Sequence, residues 1–241
     1  LKPSRKVMIT LAAVAALVTL IIVVTRPREP VYEGKRLSEW LEGISSTTSG
    51  NRERHYAETA IKAMGTDALP VLMKMLDAGD SKLKLWLAGL ASKQNLIKWK
   101  PTTAFERRVL ALDGLSVLGK SAGAALPRVK ELFVSGDYTW VDSTFTRNTG
   151  PTVIIRNCDP DAVSFFTSCL TNQNPTVRFV SAAQLGFLGE KAKPAVNQLI
   201  IALRDRDEGV RSAAFLALHG LIDNKSDQYL EVLIMNMNDP D

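Results

Sequence analysis

Imidazole, thiol and paired carboxylates are the side chains from which hydrolytic, redox and metal chemistry is built, and this sequence holds few of them. The only histidines are His55 and His219, near opposite ends of the chain's regular part, so a shared metal site is not expected. The two cysteines, Cys158 and Cys169, are too few for a Cys-only zinc site or a disulfide framework. Two buried free thiols are the expected state, and one bridge is open to them in an oxidising compartment. The sequence contains no His-Glu-x-x-His, no Gly-x-Ser-x-Gly and no phosphate-cradling glycine loop. Asp205-Arg206-Asp207-Glu208-Gly209 has the opening of a calcium loop, but its twelfth position, where a bidentate acid is needed, is Leu216. That run reads as a turn. A general acid–base pair has no signature of its own. The polar residues of an irregular stretch from 136 to 158, with its neighbour, supply the candidates: Asp137, Asp142, Arg147, Arg156 and Asp159. They name no reaction. No catalytic residue, metal or cofactor is assigned, and the chain is read as a binding protein rather than an enzyme.

One segment concentrates charge. Ser81 to Arg108 holds seven basic residues and one acid, Glu106, so it contributes +6 to a net charge of +5 and the rest sums to −1. Its basic residues are Lys82, Lys84, Lys93, Lys98, Lys100, Arg107 and Arg108. Leu83, Trp86, Leu87 and Leu90 can share one helical face, and Trp99 sits between two lysines. Three readings stand. The first is an ordinary packed helix with a solvated cationic side. The second is contact with anionic lipid headgroups, since basic amphipathic helices with Trp bind interfaces. The third is an acidic partner or polymer, with nucleic acid disfavoured.

Val7 to Val24, VMITLAAVAALVTLIIVV, has no charge and no Gly or Pro over 18 residues. As a helix it rises roughly 27 Å, close to a hydrocarbon core of about 30 Å. Lys2, Arg5 and Lys6 flank one end, Arg26 and Arg28 the other. The run ends without a small-x-small cleavage site, so a single-pass anchor is expected rather than a cleaved signal. The short basic tail favours an N-terminus inside and a large domain on the extracytoplasmic, periplasmic side. The chain begins at Leu1 rather than Met, and preceding residues would alter that count.

Over the whole chain, 46% apolar and 23% charged residues are ordinary for a globular protein. Sparse aromatics beside abundant Ala and Leu favour helices packed through small residues over a β-sandwich. Arg26-Pro27-Arg28-Glu29-Pro30 reads as a semi-extended spacer. Leu37, Trp40 and Leu41 share one face of a short helix, and 45–50 is a polar loop. Then a unit recurs. AETAIKAMG (57–65), LALDGLSVLG (110–119), SAAQLGFLG (181–189) and SAAFLALHG (212–220) are each a small-residue helix ending near Gly. A turn and a second apolar helix follow, opened in three units by Pro70, Pro127 or Pro194. Gly suits a left-handed C′ position and Pro a first turn. Thr103-x-x-Glu106 is a capping box in pattern, and Asn174-Pro175 and Asp159-Pro160 open helices, the latter through Leu170.

Val177-Arg178 and Val210-Arg211 lie 33 residues apart at matching points of the unit, preceded by Asn172 and Asp205 in the turn. These residues resemble the HEAT repeat family, over about Asn51 to Asp241. The resemblance implies an all-α, armadillo-like α-α superhelix with a ladder of turn residues and arginines, here Asp205 with Arg211 and Asn172 with Arg178. Tyr32 to Leu41 is similar to the lead-in of bacterial membrane-anchored members. The organisation expected is a basic tail and anchor (1–25), a linker with a short helix (26–50) and a repeat domain (51–241). Two inserts interrupt the repeats: a helix at 81–100, and 136–158 as a β-hairpin about 147–150 or an irregular loop. The function this implies is a membrane-tethered scaffold binding another protein, with a small-molecule substrate disfavoured.

Overall fold

The structure, a computed structural model, describes residues 29–45, 51–81, 86, 102–135, 150–222 and 234. The expected anchor at Val7–Val24, nearly all of the 81–100 insert and residues 136–149 lie outside the described residues. Among the described residues the chain is all-α, with one small hairpin.

That hairpin pairs β1 (Val31–Tyr32) antiparallel with β2 (Lys35–Arg36), Val31 opposite Arg36. Its two-residue turn, Glu33 and Gly34, takes positive φ at both positions, as the right-handed twist of a tight hairpin requires. Helix α1 (Leu37–Ser45) follows directly. It buries Leu37, Trp40, Leu41 and Ile44, and the Trp40 indole N–H donates to the Tyr32 carbonyl at 3.2 Å. The hairpin is thus tied to α1 through Trp40.

The repeated unit is visible three times. Helices α2 (Asn51–Met64) and α3 (Leu69–Leu76) are joined by a 3-10 turn, Gly65–Ala68. Helices α4 (Ala104–Leu118) and α5 (Leu126–Val134) are joined by Gly119–Ala125. Helices α8 (Pro175–Leu188) and α9 (Val196–Ala202) are joined by Gly189–Ala195. Gly65, Gly119 and Gly189 all sit at φ 55–56°, where an L side chain is strained. The turns bury Ala68, Ala122, Ala125, Ala192 and Ala195, whose methyls fit where larger groups would hold the helices apart. Gly220 differs: it lies inside α10 (Glu208–Leu221) and has no left-handed backbone.

Local caps follow the sequence closely. Thr103 and Glu106 form a reciprocal box, with the Glu106 N–H donating to Thr103 Oγ1 at 3.1 Å and the Thr103 N–H to Glu106 Oε2 at 2.8 Å. Asn174 Oδ1 accepts the Thr176 N–H at 2.9 Å at the start of α8.

Two expectations are corrected. The extended run predicted after 150 is helix α6 (Pro151–Cys158). Gly150, at φ 70°, turns the chain, and Pro151 opens a helix there. The β-branched run Thr152–Ile155 mimics a strand in sequence, but burial among neighbouring helices overrides that propensity. The helix predicted from Asp159-Pro160 starts later, as α7 (Ala162–Cys169). Asp159 is the extended residue that ends α6, and its carboxylate accepts the Asp161 N–H at 3.1 Å.

One buried apolar cluster runs from Leu37 to Leu221. Helix α4 packs against α1, α2, α3 and α6, and α10 packs against α8 and α9. Phe133, Phe165 and Phe166 tie α5 to α7, with ring centroids 5.5–5.7 Å apart. Ala104–Val134 is long and apolar enough to cross a membrane by length and composition. Gly119 breaks that run into two helices, however, and their Leu115, Val129 and Phe133 are fully buried in the core.

Truncating Phe133 removes the centre of the aromatic cluster. Phe133→Ala is expected to cost about 3–5 kcal/mol, read as a lower urea midpoint with unchanged slope. Asp113 in α4 shows the opposite effect. Burial raises its carboxyl pKa, while Arg54 partly opposes that shift. The folded state therefore holds this proton more tightly than the unfolded chain, and stability gains as pH falls through the folded pKa. Asp113→Asn is expected to raise the melting temperature at neutral pH and to erase the difference at acid pH.

Candidate functional site

Among the described residues, two concavities draw much of their chemistry from turns between helices. The first lies where the turn between α7 and α8 faces the turn between α9 and α10. Arg178, in the first turn of α8, sends Nε to Asp205 Oδ2 and Nη2 to Asp205 Oδ1, both at 2.7 Å. Its Nη1 donates to the carbonyls of Asn172 and Gln173, at 2.8 and 3.1 Å. The two side chains are only 6% and 13% exposed, so this is a desolvated, fully bonded fork rather than a surface pair.

The pairing differs from the expected register. Arg211 does not take the carboxylate of Asp205 but donates to its backbone carbonyl, at 3.2 Å. Arg178 holds the carbonyl of Asn172 in the same way, so each arginine braces its own turn, and the Asp205 carboxylate reaches back to the preceding one. Each turn also closes on itself by the same device. Asn172 Oδ1 accepts the Asn174 N–H, and Asp205 Oδ1 accepts the Asp207 N–H, both at 2.9 Å. Bonding to Asp205 raises the Arg178 pKa. Burial alone would raise the Asp205 carboxyl, but Arg178, the Asp207 N–H and Arg206 together hold it below the usual range. Both carboxylate oxygens of Asp205 are thus engaged, by Arg178 and by the N–H of its own turn. Beside it opens a groove of about 560 Å³, lined among others by Leu170, Thr171, Ile201 and Arg204. Ile201 is 71% exposed.

The second concavity, about 690 Å³, lies at the junction of α6 and α7. Lys120, Arg156, Cys158, Asp159, Leu188 and Lys191 are among its walls. Lys120 and Lys191 come from the two 3-10 turns that follow Gly119 and Gly189. Arg156 donates from Nη1 to Gln184 Oε1 at 3.1 Å, and its guanidinium lies 5.6 Å from the Phe187 ring centroid. Burial lowers the Arg156 pKa. Cys158 Sγ donates to the Gly119 carbonyl at 3.0 Å, and burial raises its pKa. Asp159 is buried, and Lys130 Nζ stands 2.6 Å from its Oδ2.

Of the candidates in and beside the 136–158 stretch, Arg156 and Asp159 meet at this cavity, whereas Asp137, Asp142 and Arg147 lie outside the described residues. Lys120, Lys130, Gln184 and Lys191 were not foreseen. A signal existed for two of them, since Lys120 and Lys191 follow the conformationally equivalent Gly119 and Gly189 by one and two residues. In the basic segment, Trp86 is helical and 60% exposed, while Lys82, Lys84, Lys93, Lys98, Trp99 and Lys100 lie outside the described residues. Arg107 is built into the start of α4, donating to Gly79 O and Asp80 Oδ1, both at 3.3 Å. Arg108 is half-buried. His55 and His219 are both exposed, His219 stacked on Phe215. Among the described residues no His, Cys, Asp and Glu cluster could hold a metal ion. Both cysteines are free thiols, Cys169 buried and Cys158 half-buried.

What these features define is an all-α chain of paired helices joined by braced turns. No family model matches it, and no curated protein matches it. Solved structures similar to it include two crystal structures of engineered proteins. One is 20% identical, over 76% of this chain and 95% of that one, with a TM-score of 0.27. The other is 18% identical, over 83% of this chain and 61% of that one, with a TM-score of 0.28. Likenesses at those scores carry no argument about fold or function.

Removing one side of the Arg178–Asp205 fork leaves the other charge buried. Arg178→Gln is expected to cost about 3–5 kcal/mol in urea unfolding. The pH dependence has a defined sign. Because the folded Asp205 pKa is depressed, its contribution is complete above the ordinary aspartate value of about 3.9 and is lost as pH falls through the folded value. Asp205→Asn is expected to flatten the acid limb of a stability–pH profile.

Proposed function

We propose that this chain is a single-pass membrane-anchored scaffold whose HEAT-like α-solenoid binds another protein and has no catalytic activity of its own. The observation that carries this reading is the Arg178–Asp205 fork. It joins two turns that lie in the same phase of the 33-residue unit and use the same internal bonds. Stacking of like units in fixed phase is what a solenoid is, and its product is an extended surface for partners. Large apolar side chains stand exposed on three successive helices: Phe187 on α8, Ile201 on α9 and Leu216 on α10. The carboxylates and the thiol at the two concavities, by contrast, are each engaged by the protein itself. Asp205 is locked in its fork, Lys130 stands 2.6 Å from Asp159, and Cys158 donates to the Gly119 carbonyl.

The apolar Val7–Val24 run supplies the tether in this reading, with the repeats on the extracytoplasmic side. A second reading, contact of the 81–108 segment with an anionic membrane surface, is favoured by Trp86, which stands 60% exposed as interfacial tryptophans do.

Cross-linking in intact cells followed by capture of the chain tests the scaffold. A partner protein is expected, recovered at least about fivefold less well with Ile201→Asp, which puts a charge on the groove. Reproducible cross-linking that yields no partner overturns the reading. External protease is expected to remove the repeats without permeabilisation, and protection until permeabilisation reverses the orientation.

A further inference from the structure

The cavity at the α6–α7 junction gathers positive charge from three separate elements. Lys120 comes from the 119–125 turn, Arg156 from α6 and Lys191 from the 189–195 turn. Asp159 is the only carboxylate on its described lining, and Lys130, which is not part of that lining, stands against it at 2.6 Å. Two further acids lie nearby in sequence, Asp161 and Glu190. Glu190 is engaged by Lys193 at 2.5 Å, and Lys191 is on the cavity's lining. Three like charges brought to one concavity repel one another, and an anion between them removes that repulsion.

The cavity is not merely polar. Pro160, Ala162, Val163 and Leu188 share its lining. Beside it, Phe187 is 51% exposed with the Arg156 guanidinium over its ring. Arg and aromatic side chains presented together, with the Arg held by Gln184, are the make-up of a protein-binding hot spot rather than of a site for a bare inorganic ion. A half-buried guanidinium also loses hydration, which strengthens its attraction for a carboxylate that enters the same space.

We propose that this cavity binds an acidic peptide segment of a partner protein, seating a carboxylate among Lys120, Arg156 and Lys191 with an adjacent apolar residue on Phe187. The proposal rests on the scaffold reading and gives its partner a chemistry.

The test is fluorescence anisotropy of a labelled peptide of alternating Glu and Leu, titrated with the full chain in detergent micelles. The Gln/Leu counterpart is the neutral probe. The Glu/Leu peptide is expected to bind at least about tenfold more tightly than the neutral one. Lys120→Gln with Lys191→Gln, both exposed positions, is expected to remove about tenfold of that affinity without moving the melting temperature. Phe187→Ala is expected to weaken both peptides alike. Lys62→Gln with Lys74→Gln removes the same charge from exposed positions on α2 and α3 and is expected to change binding less than about twofold. Equal affinity for the two peptides overturns the proposal, as does an equal loss from the Lys62/Lys74 pair. Affinity for vesicles containing phosphatidylserine that depends on Lys120 and Lys191, without affinity for the peptide, also overturns it and assigns the cavity to lipid. A cross-linked partner whose capture ignores Lys120, Arg156 and Lys191 defeats this proposal while leaving the scaffold reading intact.

Discussion

The guanidinium of Arg178 uses three of its nitrogens at once, two on the Asp205 carboxylate and one on the carbonyls of its own turn. That fork fixes the distance between two turns that are far apart in sequence, and much of the packing beneath depends on the distance being right. Helices α8 and α10 run close enough that a Cβ on Gly186 would stand 3.2 Å from Ala217 Cα. Contacts this short have no slack. A turn displaced by even a fraction of an ångström would either open a void between the helices or force Gly186 against Ala217.

The same economy governs the joints within units. A left-handed glycine reverses the chain, a short 3-10 turn buries one or two alanines, and the next helix begins. Small side chains at these points let the helices approach, while the bulk of the core comes from Leu, Ile and the Phe133–Phe165–Phe166 cluster. Where the regular unit fails, between α5 and α8, the chain supplies two short helices, and the cationic cavity forms at their junction. The interruption is thus where charge accumulates, because turns from the flanking units project their lysines toward one gap.

Much of the helical layout was legible in residue types alone. Glycine, proline and capping residues act over three or four positions, so Thr103 with Glu106, Asn174 with Pro175, and Gly65, Gly119 and Gly189 could be placed without any tertiary knowledge. Sequence and structure part where a local preference is overruled from a distance. Thr152–Ile155 carries strand-forming residues, yet it is helical because Pro151 opens a helix and neighbouring helices bury all of its side chains. Asp159-Pro160 carries the signature of a helix start, yet Asp159 ends the preceding helix, with its carboxylate engaged by Lys130 from another element.

The sequence by itself determined that the described part of this chain is helical, that its last two units stand 33 residues apart, and where most of its turns fall. These are local matters, set by backbone freedom, missing donors and short-range capping. Only the tertiary structure decided that Asp205 bonds to the arginine of the preceding turn rather than to Arg211, and that Lys120, Arg156 and Lys191 share one cavity. The physical reason is the same in both cases. A long side chain can reach several partners, and which one it meets is settled by the separation of turns that no stretch of sequence contains.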